Sequence, residues 1–95
     1  MNRVVEKLQN LKNTLKDSFG VKNIYLFGSY AREEANEKSD IDIIVEFEKG
    51  KETFRNYMAL KEFLEKELHK PVDLIVRSAL KPHFEKAIEK EVFSV

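Results

Sequence analysis

Three short apolar runs, at residues 24–27, 41–47 and 72–76, most constrain what this chain can fold into. Each has the length of a strand, and the stretches around them carry apolar residues at helical spacing. Val4, Leu8, Leu11 and Leu15 repeat with a helix-like period, and Gly20, following Phe19, is placed to end that helix as a C-terminal cap. Gly28-Ser29 punctuates the first run, and "SYAREEA" reads as a short helix with Ser29 near its start. Lys49-Gly50 is a turn, after which Phe54, Tyr57, Leu60, Leu64 and Leu68 mark a long amphipathic helix. Pro71 restarts the chain in extended form. Ser78 is expected to cap a last helix carrying Leu80, Phe84, Ala87 and Ile88, with Pro82 tolerated because a first turn has no intrahelical N–H bonds to lose. The order α-β-α-β-α-β-α predicts an α+β domain, a sheet backed by helices, over residues 1–95. It does not fix strand order, nor whether the first two strands run parallel.

Ninety-five residues suffice for one small domain, and 42% hydrophobic content supplies its core. Lys+Arg and Asp+Glu balance at 17 each, which argues against a broad basic nucleic-acid surface. The absence of cysteine removes disulfides, thiolate zinc sites and a thiol nucleophile. No apolar stretch has membrane-spanning length and no signal-peptide pattern opens the chain, so a soluble, cytoplasmic protein is expected.

The middle run opens unusually, with Asp40 and Asp42 in "SDIDIIVEF". Side chains alternate along a strand, so these two acids share a face while Ile41, Ile43, Val45 and Phe47 take the other. Strand ends are often wet and Asp is common there, so the pair alone could be ordinary solvation. Asp73 changes that, because it interrupts the apolar run "PVDLIV" and faces away from Val72 and Leu74. If that is the side of Asp40 and Asp42, three carboxylates converge on one open sheet face. Side-by-side acids repel and lose hydration unless a cation accompanies them. Oxygen-only ligands suit Mg²⁺ or Mn²⁺, which in turn favour substrate phosphates. The Gly28-Ser29 turn fits the same chemistry. Glycine allows close backbone approach, a helix N-terminus attracts anions, and Arg32 lies one helical turn on.

"GSYAR" followed by "SDIDIIV" resembles the signature of the polymerase-β-like nucleotidyltransferase superfamily, and the short chain is similar to its minimal (MNT) type. That type is the antitoxin half of HEPN/MNT toxin–antitoxin pairs. The resemblance covers nearly the whole chain and implies a two-layer fold, a mixed sheet with helices packed on one face. It implies that Gly28 and Ser29 hold a triphosphate and that Asp40 and Asp42 bind two Mg²⁺ ions. Asp73 matches the third carboxylate, which supports the metal nearer the acceptor and assists its deprotonation. Arg32 matches the family arginine, with a phosphate-binding or structural role. Glu33 departs from the pattern, since many relatives have glycine there. The implied activity is transfer of AMP from ATP to a tyrosine hydroxyl of a helical HEPN-type toxin. A catalytically silent antitoxin that inhibits by binding is the alternative, and transfer to a small molecule or an RNA end is a third.

Other residues carry less. His69 and His83 lack a second ligand at useful spacing and read as surface or packing residues. Tyr30 could stack on a base but reads better as half-buried. Val92, Phe93 and Val95 are apolar at a tail; an edge strand or helix end within the fold is favoured over a partner-binding patch.

Overall fold

The computed structural model describes residues 3–28, 39–80, 86 and 92–95, with Phe93 by its backbone alone. Helix α1 (Arg3–Phe19) presents Leu8 and Leu15 inward, two turns apart, both buried. It stops where expected. Gly20 adopts φ +67°, and its N–H donates to the Lys16 carbonyl at 3.1 Å. Helix α2 (Phe54–Leu68) starts at Thr53, whose hydroxyl accepts the Asn56 N–H, and ends at His69, which takes a left-handed φ of 56°. The Asn56 side-chain amide then donates to the Phe19 and Lys51 carbonyls, at 2.6 and 2.9 Å. That one side chain joins the end of α1 to the loop before α2.

Strands β1 (Val21–Phe27), β2 (Ile41–Phe47), β3 (Val72–Val76) and β4 (Phe93–Ser94) form one sheet in the order β3-β2-β1-β4. β1 runs antiparallel to β2 and β4, and β2 runs parallel to β3. The sheet is therefore mixed, as the family resemblance implied. Ile24 and Leu26 of β1, Ile41, Ile43, Val45 and Phe47 of β2, and Val72 and Leu74 of β3 are buried in one cluster with Leu8, Leu15, Leu60 and Leu64 of the helices. Both helices thus cover the same sheet face. Full burial of each such leucine contributes about 1.5–3 kcal/mol.

Several boundaries differ from the sequence expectation. β1 begins at Val21, not at residue 24, because a register irregularity between Val21 and Asn23 lets the strand bury Val21 and still bury Ile24 and Leu26. That break in parity hid the first half of the strand from an alternation argument. Ser78 does not cap a long helix; it lies within a 3₁₀ turn (Arg77–Ala79), and its hydroxyl donates to a Glu52 carboxylate oxygen at 3.1 Å. Lys86 of the expected last helix is helical, whereas Pro82, His83, Phe84, Ala87 and Ile88 lie outside the described residues. The helix read in "SYAREEA", Tyr30 included, lies outside them too. The apolar tail joins the sheet as β4, the edge-strand reading. His69 sits just past α2 and is exposed.

The outer edge of β3 is occupied by α2. Alternation along a parallel strand turns the Val72 N–H and the Leu74 carbonyl away from β2. The Glu65 carboxylate accepts the first at 2.9 Å, and the Tyr57 hydroxyl donates to the second at 2.6 Å. An edge that could template pairing with another chain is thereby closed with side chains. Among the described residues, no helix is long and apolar enough to cross a membrane.

Candidate active site

The face of the sheet away from the helices carries the acids. Registers on both sides of β2 define one row across it, with Phe27 opposite Asp42 and Asp42 opposite Asp73. Neighbours in a row share a face, so Asp42 and Asp73 stand side by side on parallel strands. The buried partners of β2, Ile41 and Ile43, point the other way, as their alternation required. Asp42 is half-buried, whereas Asp73 is exposed. Two like charges in this relation cost stability.

Gly28 explains how the row is completed. It lies one residue beyond Phe27 with φ +70°, a conformation that L side chains rarely adopt. A Cβ at this position would fall inside contact distance of the Asp42 Oδ2, and would meet Asp42 Cγ at 3.2 Å and Cβ at 3.4 Å. The carboxylate lies against the bare Cα. Glycine here serves both the turn and the position of the acid, and the second role has no local sequence signal. It required knowing that β1 and β2 pair antiparallel with Phe27 opposite Asp42.

Asp40 stands one residue before β2 and is exposed. Its expected alternation with Asp42 therefore applies outside the paired strand, where no ladder holds its direction. Among the described residues, no three His, Asp or Glu side chains are grouped so as to hold a metal ion. The structure thus brings Gly28, Asp42 and Asp73 together and leaves Asp40 at the approach to them. Ser29 and Arg32 lie outside the described residues. The donor chemistry of the row, carboxylate oxygens alone, fits a hard divalent cation better than zinc.

A second row on the same face sets Tyr25 opposite Ile44 and Ile44 opposite Ile75. The Arg77 guanidinium lies over the Tyr25 ring, 5.2 Å from its centroid. This aromatic–cation pair escaped sequence reading. Period-two spacing from Phe27 could have placed Tyr25 on the acid face, but nothing local places Arg77 there.

Comparison with known proteins follows the same outline. A family model for the nucleotidyltransferase domain matches residues 8–93. The protein adenylyltransferase MntA of Thermococcus cleftensis is 43% identical over 84 residues, spanning 88% of this chain and 84% of that protein. A solved structure of a candidate minimal nucleotidyltransferase superimposes with a TM-score of 0.84 at 30% identity, covering 98% of this chain and 94% of the other. A toxin–antitoxin crystal structure with AMP-PNP gives a TM-score of 0.75 at 26% identity, covering 94% and 69%.

Proposed function

The chain belongs to the nucleotidyltransferase domain family in its minimal form, and from that premise we propose that it transfers AMP from ATP to a hydroxyl of a partner protein. The acceptor we assign is a tyrosine of a HEPN-type toxin, with this chain as the antitoxin. The observation that carries the reading is the register that sets Asp42 beside Asp73 and rests the Asp42 carboxylate on Gly28. The MntA relative is named a protein adenylyltransferase, and a fold neighbour is a toxin–antitoxin structure with AMP-PNP.

In this reaction the acceptor oxygen bonds to the α-phosphorus of ATP, the bond to the bridging oxygen breaks, and pyrophosphate leaves with the electron pair. Asp73 takes the hydroxyl proton as the oxygen attacks. Gly28 leaves backbone accessible at the end of β1, where Ser29 and Arg32 would contact the triphosphate. Asp40, Asp42 and Asp73 would hold Mg²⁺, which when bound neutralises charge on the phosphates and on the departing oxygen. Positioning and charge supply most of the acceleration in such transfers.

The test is incubation with α-labelled ATP, Mg²⁺ and the partner toxin, with Asp42→Asn as the control. A labelled toxin band with the wild type and none with the variant is the expected result. Equal labelling by a folded Asp42→Asn protein would refute the assignment. No label from either protein, with toxin inhibition intact, would establish inhibition by binding instead.

A further inference from the structure

Asp42 is the second residue of β2, and Asp73 is the second residue of β3. The acid row therefore stands one step inside the point where the parallel ladder begins, and the ends of elements open first. The opening rung sets Ile41 opposite Val72, and the Ile41 N–H donates to the Pro71 carbonyl at 3.0 Å. Proline has no N–H, so Val72 carries the first donor of β3. Val72 is buried, and its N–H, turned away from β2, is accepted by the Glu65 carboxylate at 2.9 Å.

Glu65 occupies an unfavourable place for an acid. It lies in the last turn of α2, at the negative end of the helix dipole. Glu67, in the same turn, is offset by Lys7 at 3.6 Å. Among the described residues, Glu65 has no cation beside it and meets the Val72 N–H instead. Helix propensity and the dipole therefore do not account for this carboxylate, whereas the start of β3 does. The helix that carries it is firmly seated, because Leu60 and the adjacent Leu64 are buried in the core.

We propose that Glu65 is a positioning residue of the acid row: by holding the Val72 N–H it keeps the first rung of the β2–β3 ladder closed and Asp73 beside Asp42. Its catalytic consequence rests on the AMP-transfer reading, in which Asp73 takes the acceptor proton. Val72 adjoins Asp73, so opening of the strand start moves the Asp73 carboxylate directly. Tyr57 bonds the same edge, but at Leu74, which lies between two rungs, Asp42 opposite Asp73 and Ile44 opposite Ile75. Those rungs keep the register without it, so its loss costs stability and leaves the acids in place. Shielding the edge from a strand of another chain is a role that Glu65 and Tyr57 share, and it predicts the same outcome for both.

Three variants separate the two roles. Glu65→Met keeps the length and helix propensity of the side chain without a carboxylate. Glu65→Gln keeps an oxygen that accepts the same N–H, and Tyr57→Phe removes the other edge bond; circular dichroism checks each fold. Amide hydrogen exchange is followed by NMR without nucleotide, each rate taken relative to that of Val45, later in β2, to remove changes in global stability. Glu65→Met should speed exchange of the Ile41 and Asp73 amides at least about tenfold, while Glu65→Gln and Tyr57→Phe should stay within about threefold of wild type. With α-labelled ATP and the toxin, Glu65→Met should lower kcat about tenfold or more with KM for ATP within about twofold, because Gly28, Ser29 and Arg32 are the groups assigned to the triphosphate. Glu65→Gln should restore transfer to within about threefold of wild type. Unchanged Ile41 and Asp73 exchange in Glu65→Met would overturn the proposal. So would equal effects of Glu65→Met and Tyr57→Phe, which would mark both as guards of the edge, and so would a loss of transfer in Glu65→Gln as deep as in Glu65→Met. Absence of transfer by the wild type would refute the AMP-transfer reading alone, and the exchange ratios would still decide whether Glu65 holds Asp73.

Discussion

Substitution of Gly28 by alanine tests the geometry of the acid row most directly, and Gly50 provides a matched control. Both glycines have positive φ, +70° and +84°. An added Cβ at Gly50 would meet nothing within 4 Å, whereas at Gly28 it would collide with the Asp42 carboxylate. The backbone cost of a left-handed alanine, about 1–2 kcal/mol, is common to both. Displacing Asp42 adds an overpacking cost of about 1–3 kcal/mol at Gly28 alone. Urea unfolding should therefore show Gly50→Ala destabilised by about 1–2 kcal/mol and Gly28→Ala by about 2–5 kcal/mol. The excess should vanish when Gly28→Ala is made in an Asp42→Ala background, because the colliding group is then gone. AMP transfer, the activity proposed above, should survive Gly50→Ala. It should fall about a hundredfold in Gly28→Ala, since displacing a reacting group by about 1 Å carries that cost. If Gly28→Ala costs no more than Gly50→Ala, and no coupling to Asp42 appears, the carboxylate does not depend on the bare Cα and the reasoning fails.

Neutralising one of the two paired acids should separate function from stability. Asp73→Asn should raise the unfolding free energy by about 0.2–1 kcal/mol by removing a like-charge neighbour, while label transfer falls; a loss of stability would contradict the pairing. Tyr57→Phe removes the hydroxyl that donates to the Leu74 carbonyl and should cost about 0.5–1.5 kcal/mol in urea unfolding with transfer unchanged. His69→Gly should stabilise by about 1 kcal/mol, because His69 is held at φ 56° where glycine is unstrained, and thermal unfolding checks this.

Much of this protein is written in local periodicity. The positions of Leu8 and Leu15, the inward alternation of Ile41, Ile43, Val45 and Phe47, and the outward turn of Asp73 need only the repeat of a helix or strand. The limits of β2, β3 and α2 followed for the same reason, and so did the glycine stop at Gly20. What periodicity cannot carry is which strand lies beside which. The antiparallel entry of β1 against β2, the parallel return of β3 and the addition of β4 depend on pairings between residues far apart in sequence. The irregularity between Val21 and Asn23 hid half of β1, and Ser78 bonded to Glu52 instead of capping a helix. The candidate site divides along the same line. Its residue types could be read from "GS" and "DID", but the contact of Gly28 with Asp42 and the pairing of Asp42 with Asp73 exist only through strand register. Side-chain direction is a property of each strand by itself, whereas proximity across strands is decided by hydrogen bonds that form when the chain folds.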